Sequence, residues 1–180
     1  MISKLVNNVY AIKGNFLVYL IDIGESFILI DSSDGSDSSI IIDGIYEILE
    51  RNSKKLKWII LTSYRREVAG GASVLSRLFS ALIISSREVA SLLRKGGDKN
   101  SNYEPLNVTV ELSESNLKYM NEILGVDPRH KITVIKSNTP VSGSIFIMFD
   151  SILFTGASRT SGIKNKISYI CNAYNFEKVI

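Results

Sequence analysis

The run Leu61-Thr62-Ser63-Tyr64-Arg65-Arg66-Glu67-Val68-Ala69-Gly70-Gly71 sets a hydroxyl, two guanidiniums and a carboxylate directly after an apolar stretch. Arginine stays protonated, so such a loop repels a metal ion and suits phosphate or carboxylate. A second polar run, Asp31-Ser32-Ser33-Asp34-Gly35-Ser36-Asp37, offers enough oxygen donors to suggest calcium. It lacks the late bidentate glutamate of an EF-hand loop and reads better as a solvated turn that caps a helix. The chain has one histidine, His130, and one cysteine, Cys171. Those counts exclude an internal disulfide framework, a cysteine-rich zinc site and a histidine-rich metal centre. Nothing around Cys171 (Tyr169, Ile170, Asn172) lowers a thiol pKa, so it is expected as an inert buried cysteine on a helix rather than a nucleophile paired with His130. His130, after Pro128-Arg129, reads as a surface-loop or strand-edge residue.

The elements that must position these groups follow from hydrophobic periodicity. Val6 to Ile12, Phe16 to Ile21 and Phe27 to Asp31 predict a three-stranded meander, apolar enough to be buried on both faces. Ile40, Ile41, Ile45, Ile48 and Leu49 recur at helical spacing, and the helix they form ends in a solvated cationic stretch with Lys54, Lys55 and Lys57 nearby. Leu56 to Thr62 is a buried strand, Ser63 to Gly71 a loop, and Ser73 to Phe79 a helix opened by the tight turn Gly70-Gly71. Ala81 to Ser85 is a strand, and Glu88 to Arg94 a helix closed by Gly96-Gly97. Beyond the polar loop Gly96 to Pro105, strands are expected at Asn107 to Leu112 and Lys131 to Ile135, with a helix at Ser115 to Leu124 between them. A hairpin about Asp150 joins Ser144–Phe149 to Ser151–Thr155. A helix over Lys164 to Tyr174 and a last short strand at Phe176 to Ile180 complete the series.

Alternating strands and helices after a β-meander predict a layered α/β protein, in which the loops after Asp31 and Thr62 lie at the carboxyl ends of their strands. The length of 180 residues suits one domain spanning 1–180, and 45% hydrophobic with 22% charged residues supports a packed core. A net charge of +3 does not demand a polyanion partner. No apolar stretch approaches the roughly 20 residues of a membrane span, and Met1 to Leu5 does not resemble a signal peptide. A cytoplasmic location without a membrane partner is expected.

The order of these motifs resembles the metallo-β-lactamase superfamily over most of the chain. Phe27-Ile28-Leu29-Ile30-Asp31 is similar to that family's "ILIDTG" strand, and Trp58 to Gly71 to "IILTHxHxDHxGG". Thr139-Pro140-Val141-Ser142-Gly143-Ser144-Ile145 is similar to "GHTPGSI", and Leu153-Phe154-Thr155-Gly156-Ala157 to "LFTGD". The resemblance implies a truncated αββα sandwich of mixed β-sheets flanked by helices. In the family, the main loop supplies two histidines to one zinc and an aspartate–histidine pair to the other. Matched residue by residue, those positions here hold Ser63, Arg65, Glu67 and Val68. The later histidine falls at Thr139 or Pro140, the bridging aspartate at Ala157, and the last family histidine has no counterpart. Catalytic zinc needs three or more nitrogen, sulfur or carboxylate ligands and an open position for water. The resemblance therefore implies a degenerate member, without catalytic residues, metal or other cofactor.

Such a pseudoenzyme is expected to act as an interaction or regulatory module, pairing with itself as a homo-oligomer or with an active relative. A rival reading gives Arg65, Arg66 and Arg159, from two loops facing one cleft, to an anionic small molecule. The structural alternative pairs the arginines with Glu67 and Asp31. Nucleic acid is disfavoured, because few basic residues with interleaved aromatics gather in one place. An active hydrolase would require Asp31, Glu67 and Asp150 to meet around one hard cation.

Overall fold

In a strand buried on both faces, alternate residues must serve two separate apolar clusters. The segment Leu17-Val18-Tyr19-Leu20-Ile21 does this: Tyr19 and Ile21 join one cluster, Val18 and Leu20 another. The computed structural model of the protein describes residues 1–137, 141–158 and 167–179. Its first sheet begins with an antiparallel meander of β1 (Ile2–Val6), β2 (Val9–Lys13), β3 (Leu17–Asp22) and β4 (Ser26–Ile30). It continues in parallel through β5 (Lys55–Ile60), β6 (Leu82–Ser86) and β7 (Val108–Leu112), in the order β1 to β7. The meander thus has four strands where three were expected. Val6 closes a half-exposed edge strand, and Asn7-Asn8 is the turn that separates it from Val9. The polar Ser3 and Lys4 masked that strand, because an edge does not need the continuous apolar run of an interior one.

The parallel half is connected by helices on one face. They are α1 (Ser38–Asn52), the short α2 (Arg66–Ala69), α3 (Ala72–Phe79) and α4 (Arg87–Leu93). Ile41, Ile45 and Ile48 of α1, Leu75 of α3 and Leu93 of α4 bury against Leu29, Ile59 and Ile83 of the sheet. The loop expected over Ser63 to Gly71 therefore contains a helical turn. The region expected as one helix from Ser115 is a 3-10 turn, Leu117–Tyr119, running into α5 (Met120–Leu124) and stopped by left-handed Gly125.

The second sheet holds β8 (Ile132–Lys136), β9 (Ile145–Phe149), β10 (Ile152–Phe154), β11 (Tyr169–Cys171) and β12 (Phe176–Lys178), in the order β12-β11-β10-β9-β8. Val134, Ile147, Phe149, Phe154 and Cys171 face Ile28, Ile30 and Ile60 of the first sheet, so one of the two main cores lies between the sheets. The expected Lys164–Tyr174 helix is overturned in its described part: Tyr169–Cys171 is a strand parallel to β10. Cys171 turns to the inter-sheet core and Ile170 to the opposite face. Pairing with β10 overrides the helix-like spacing of the isoleucines; residues 164–166 lie outside the described residues.

Candidate functional site

The parallel pairing of β4 with β5 brings Ile30 beside Ile60, so the chain leaves both strands at one edge of the sheet. Asp31 is the first residue past β4 and takes a left-handed conformation, φ 63°. Its carboxylate is buried and accepts the Thr62 backbone N–H and the Thr62 hydroxyl, both at 2.9 Å. Burial pushes the Asp31 carboxyl up to about 7, and the two Thr62 bonds only partly oppose it. Gly156, which follows β10 with φ 60°, packs against this pair; a side chain there would collide with Thr62. Asp31 is therefore bonded to Thr62, and among the described residues it makes no ion pair with Arg65 or Arg66, contrary to that part of the expected pairing.

The next residues anchor the arginine loop. The backbone N–H and hydroxyl of Ser32 both donate to the Val68 carbonyl, at 2.8 and 2.9 Å, and Gly71 N–H donates to Ser33 O. Gly70 and Gly71 lie so close to the Asp34 and Ser32 carbonyls that a Cβ would collide with them. The glycine pair is thus a close-approach turn before α3. Asp37 precedes α1, yet its carboxylate caps no helical N–H. It accepts instead from Asn15 N–H and from the Ser33 hydroxyl, tying the β2–β3 turn to the start of α1. Asp34 accepts from Ser36, so each carboxylate of the Asp31–Asp37 run has hydrogen-bond donors within the protein.

At the rim, the Arg65 guanidinium donates to Glu67 at 2.9 Å, and that bond holds Arg65 more firmly protonated. Arg66 is exposed and makes one long contact, 3.4 Å, with the Asp34 carbonyl. Ser63 is buried and accepts from Arg65 N–H. Val68 is fully buried, and Ala157 is half-buried. Tyr103 donates to the Tyr64 carbonyl, and Phe16 and Tyr174 pack edge to face at 5.7 Å. Thr139, Pro140 and Arg159 lie outside the described residues. A cleft of about 440 Å³ opens further along this edge, past the ends of β6 and β7, where Lys136 pairs with Glu114.

The remaining sequence candidates are elsewhere. His130 sits at the opposite end of the sandwich, between Asn8 in the β1–β2 turn (2.6 Å) and Asp150 in the β9–β10 turn (2.7 Å). With the Asn8 amide as donor, the ring proton lies on Nδ1 and is given to Asp150. Asp150 is thereby separated from Asp31 and Glu67. Cys171 is buried on a strand rather than a helix, and desolvation pushes its thiol up to about 12. Lys54 is no solvated helix end, because it forms a half-buried ion pair with Asp22 at 2.7 Å. Sequence reasoning missed Thr62 as the donor to Asp31, and Asp37 as the anchor of the β2–β3 turn. Neither bond leaves a local signal, since the partners are 31 and 22 residues apart.

Two mixed sheets packed face to face, with crossover helices on the first and loops gathered at the strand ends, define an α/β sandwich with an edge-on site. A family model for the metallo-beta-lactamase superfamily matches residues 14–158, and the chain belongs to that superfamily. Among solved structures it resembles a HARLDQ-motif mutant of a metallo-β-lactamase from Cronobacter sakazakii. The TM-score is 0.76 at 12% identity, covering 96% of this chain and 79% of that one. It also resembles a B3 metallo-β-lactamase with an active-site glutamic acid, with TM-score 0.71, 17% identity and coverage of 99% and 82%. BJP-1, a subclass B3 metallo-β-lactamase of Bradyrhizobium japonicum, gives 0.72, 14%, and coverage of 96% and 76%. At such identities the likeness shows the fold. No curated protein sequence matches the chain.

The family's zinc does not fit the donors present. The positions matched to its ligands carry a buried methyl-bearing side chain (Val68), a guanidinium (Arg65), a hydroxyl (Ser63) and a methyl group (Ala157), while Glu67 is paired with Arg65. Among the described residues, no three histidine, cysteine, aspartate or glutamate side chains gather at ligating distance. No helix among them is long and apolar enough to cross a membrane.

Proposed function

We propose that this chain is a non-catalytic member of the superfamily, a cytoplasmic pseudoenzyme that serves as an interaction or regulatory module. The observation that carries this reading is the Arg65–Glu67 ion pair, with Val68 buried beside it, in the loop matched to the family's zinc ligands. A cation fixed in that loop opposes a second positive charge, and its one carboxylate is engaged. The test is metal content per chain after incubation of the protein with zinc, manganese and iron, followed by desalting. The expected result is no retained metal. Stoichiometric retention would overturn the reading and direct attention to hydrolase assays.

A second reading has one observation in its favour. The Arg65 side chain remains 42% exposed despite its pairing, and Arg66 makes only a 3.4 Å hydrogen bond among the described residues, so the loop can offer guanidinium donors to an anionic small molecule. The double substitution Arg65→Ala/Arg66→Ala separates the two roles. A structural role lowers stability; a ligand role abolishes anion binding and leaves the fold intact. The hydrolase alternative built on Asp31, Glu67 and Asp150 loses support, because Asp31 is bonded to Thr62 and Asp150 to His130 at the far end.

A further inference from the structure

The outward side of α1 and α3 carries an exposed apolar surface without a partner among the described residues. Tyr46, Leu49, Leu78 and Phe79 line a groove of about 520 Å³. The Tyr46 and Phe79 rings pack at 4.9 Å, and Tyr46 and Leu78 leave 41% and 46% of their surface in water. Val74, one helical turn before Leu78, extends the stripe. An exposed tyrosine beside a phenylalanine and a leucine has the composition of an interface centre rather than of an ordinary surface.

The rim of this groove holds one free charge of each sign. Glu50, in the last turn of α1, and Lys55, at the start of β5, both line it. Neither has an ion pair or side-chain hydrogen bond among the described residues, while Lys54 between them is engaged by Asp22. Glu50 also sits at the negative end of the α1 dipole, where a carboxylate is disfavoured unless a cation approaches it. Lined by one unpaired anion and one unpaired cation, the apolar groove can complement itself under two-fold rotation. The rotation sets Glu50 against Lys55 of the partner subunit, and Lys55 against Glu50 of the partner subunit. A partner of single charge sign would satisfy one of these residues and leave the other desolvated and unpaired.

We propose that the α1–α3 face is the docking surface for a second copy of this chain, in a symmetric homodimer. This deepens the interaction-module reading by naming the partner. Its test reads oligomeric mass, which is independent of metal retention, so either can fail without the other. The groove lies at the end of the sheet where β5 begins, and Arg65 and Arg66 follow the end at which β5 stops. Dimerisation therefore leaves the arginines open.

The experiment is sedimentation velocity on the untagged full-length chain over a dilution series. Twice the chain mass is expected at high concentration, dissociating on dilution. Leu78→Glu, at an exposed position that tolerates charge, should shift the chain to monomer. Lys55→Glu and Glu50→Lys should each weaken the dimer by about tenfold, and the two together in one chain should restore it to within about threefold of wild type. Thermal melting by circular dichroism verifies that each variant folds. A wild-type chain that stays monomeric throughout would overturn the proposal, as would a dimer indifferent to Leu78→Glu and Lys55→Glu. So would a charge-swapped double variant as weak as its singles. A monomeric chain that instead binds a different protein through this face would also overturn it.

Discussion

Asp31 is the residue whose chemistry is most altered by the fold. Its carboxyl titrates near 3.8 when unfolded and at about 7 in the native chain, because burial penalises the charged form. The native state therefore holds the proton more tightly. The stability due to this group is fully present below about pH 4 and is lost as pH rises through about 7. A difference of this size corresponds to an order of ~4 kcal/mol. Tyr19 and Cys171, nearby and both raised, stay neutral across that window and do not complicate it. Asp31→Asn keeps the shape and tolerates the left-handed backbone. Urea unfolding of this variant at several pH values should show a flat profile where the wild type declines. Val68→His, which restores one family ligand type, places a larger, polar imidazole at a fully buried position. It should cost ~1–3 kcal/mol without conferring metal retention, as read by unfolding and metal analysis together.

At the scale of elements, the site is a set of strand ends and turns fastened by long-range polar bonds. Asp37 joins the β2–β3 turn to α1, and removing it leaves the buried Ser33 hydroxyl and Asn15 N–H without their acceptor. Asp37→Ala should lower stability by ~1–3 kcal/mol and speed amide exchange at Asn15 and Phe16 beyond that of the sheet core. Gly156 combines φ 60° with direct contact to Thr62. Gly156→Ala should cost ~1–3 kcal/mol in chemical denaturation, since the strained backbone and the collision act together. Most of these elements were legible from apolar periodicity: β3 through β6 and α1 came within a few residues of their bounds. The first strand and β11 were not. One is a half-polar edge, and the other has isoleucines at helical spacing that pairing with β10 recruits into a sheet.

Across the whole molecule, one of the two main cores lies between the sheets, and Cys171 is buried within it. With its thiol pushed up to about 12 and no exposed surface, Cys171 should resist thiol reagents in the native protein. Labelling should then proceed at the rate of opening of the inter-sheet core, so modification in increasing urea should track the unfolding transition. Rapid native labelling would show that the two sheets separate independently of global unfolding.

The sequence by itself determined the family and the residues that stand in its matched loop. Both depend on residue identity and order: a strand ending in Asp31, a loop that reads Ser63, Arg65, Glu67 and Val68, and a chain with one histidine and one cysteine. Only the tertiary structure decided which group satisfies which. Asp31 bonds to Thr62, Lys54 to Asp22, and His130 to Asp150 and Asn8. Glu50 and Lys55 line one groove, without an ion pair among the described residues. The physical reason is range: periodicity is a property of neighbours along the chain, whereas a buried hydrogen bond or ion pair depends on partners that only folding brings within about 3 Å.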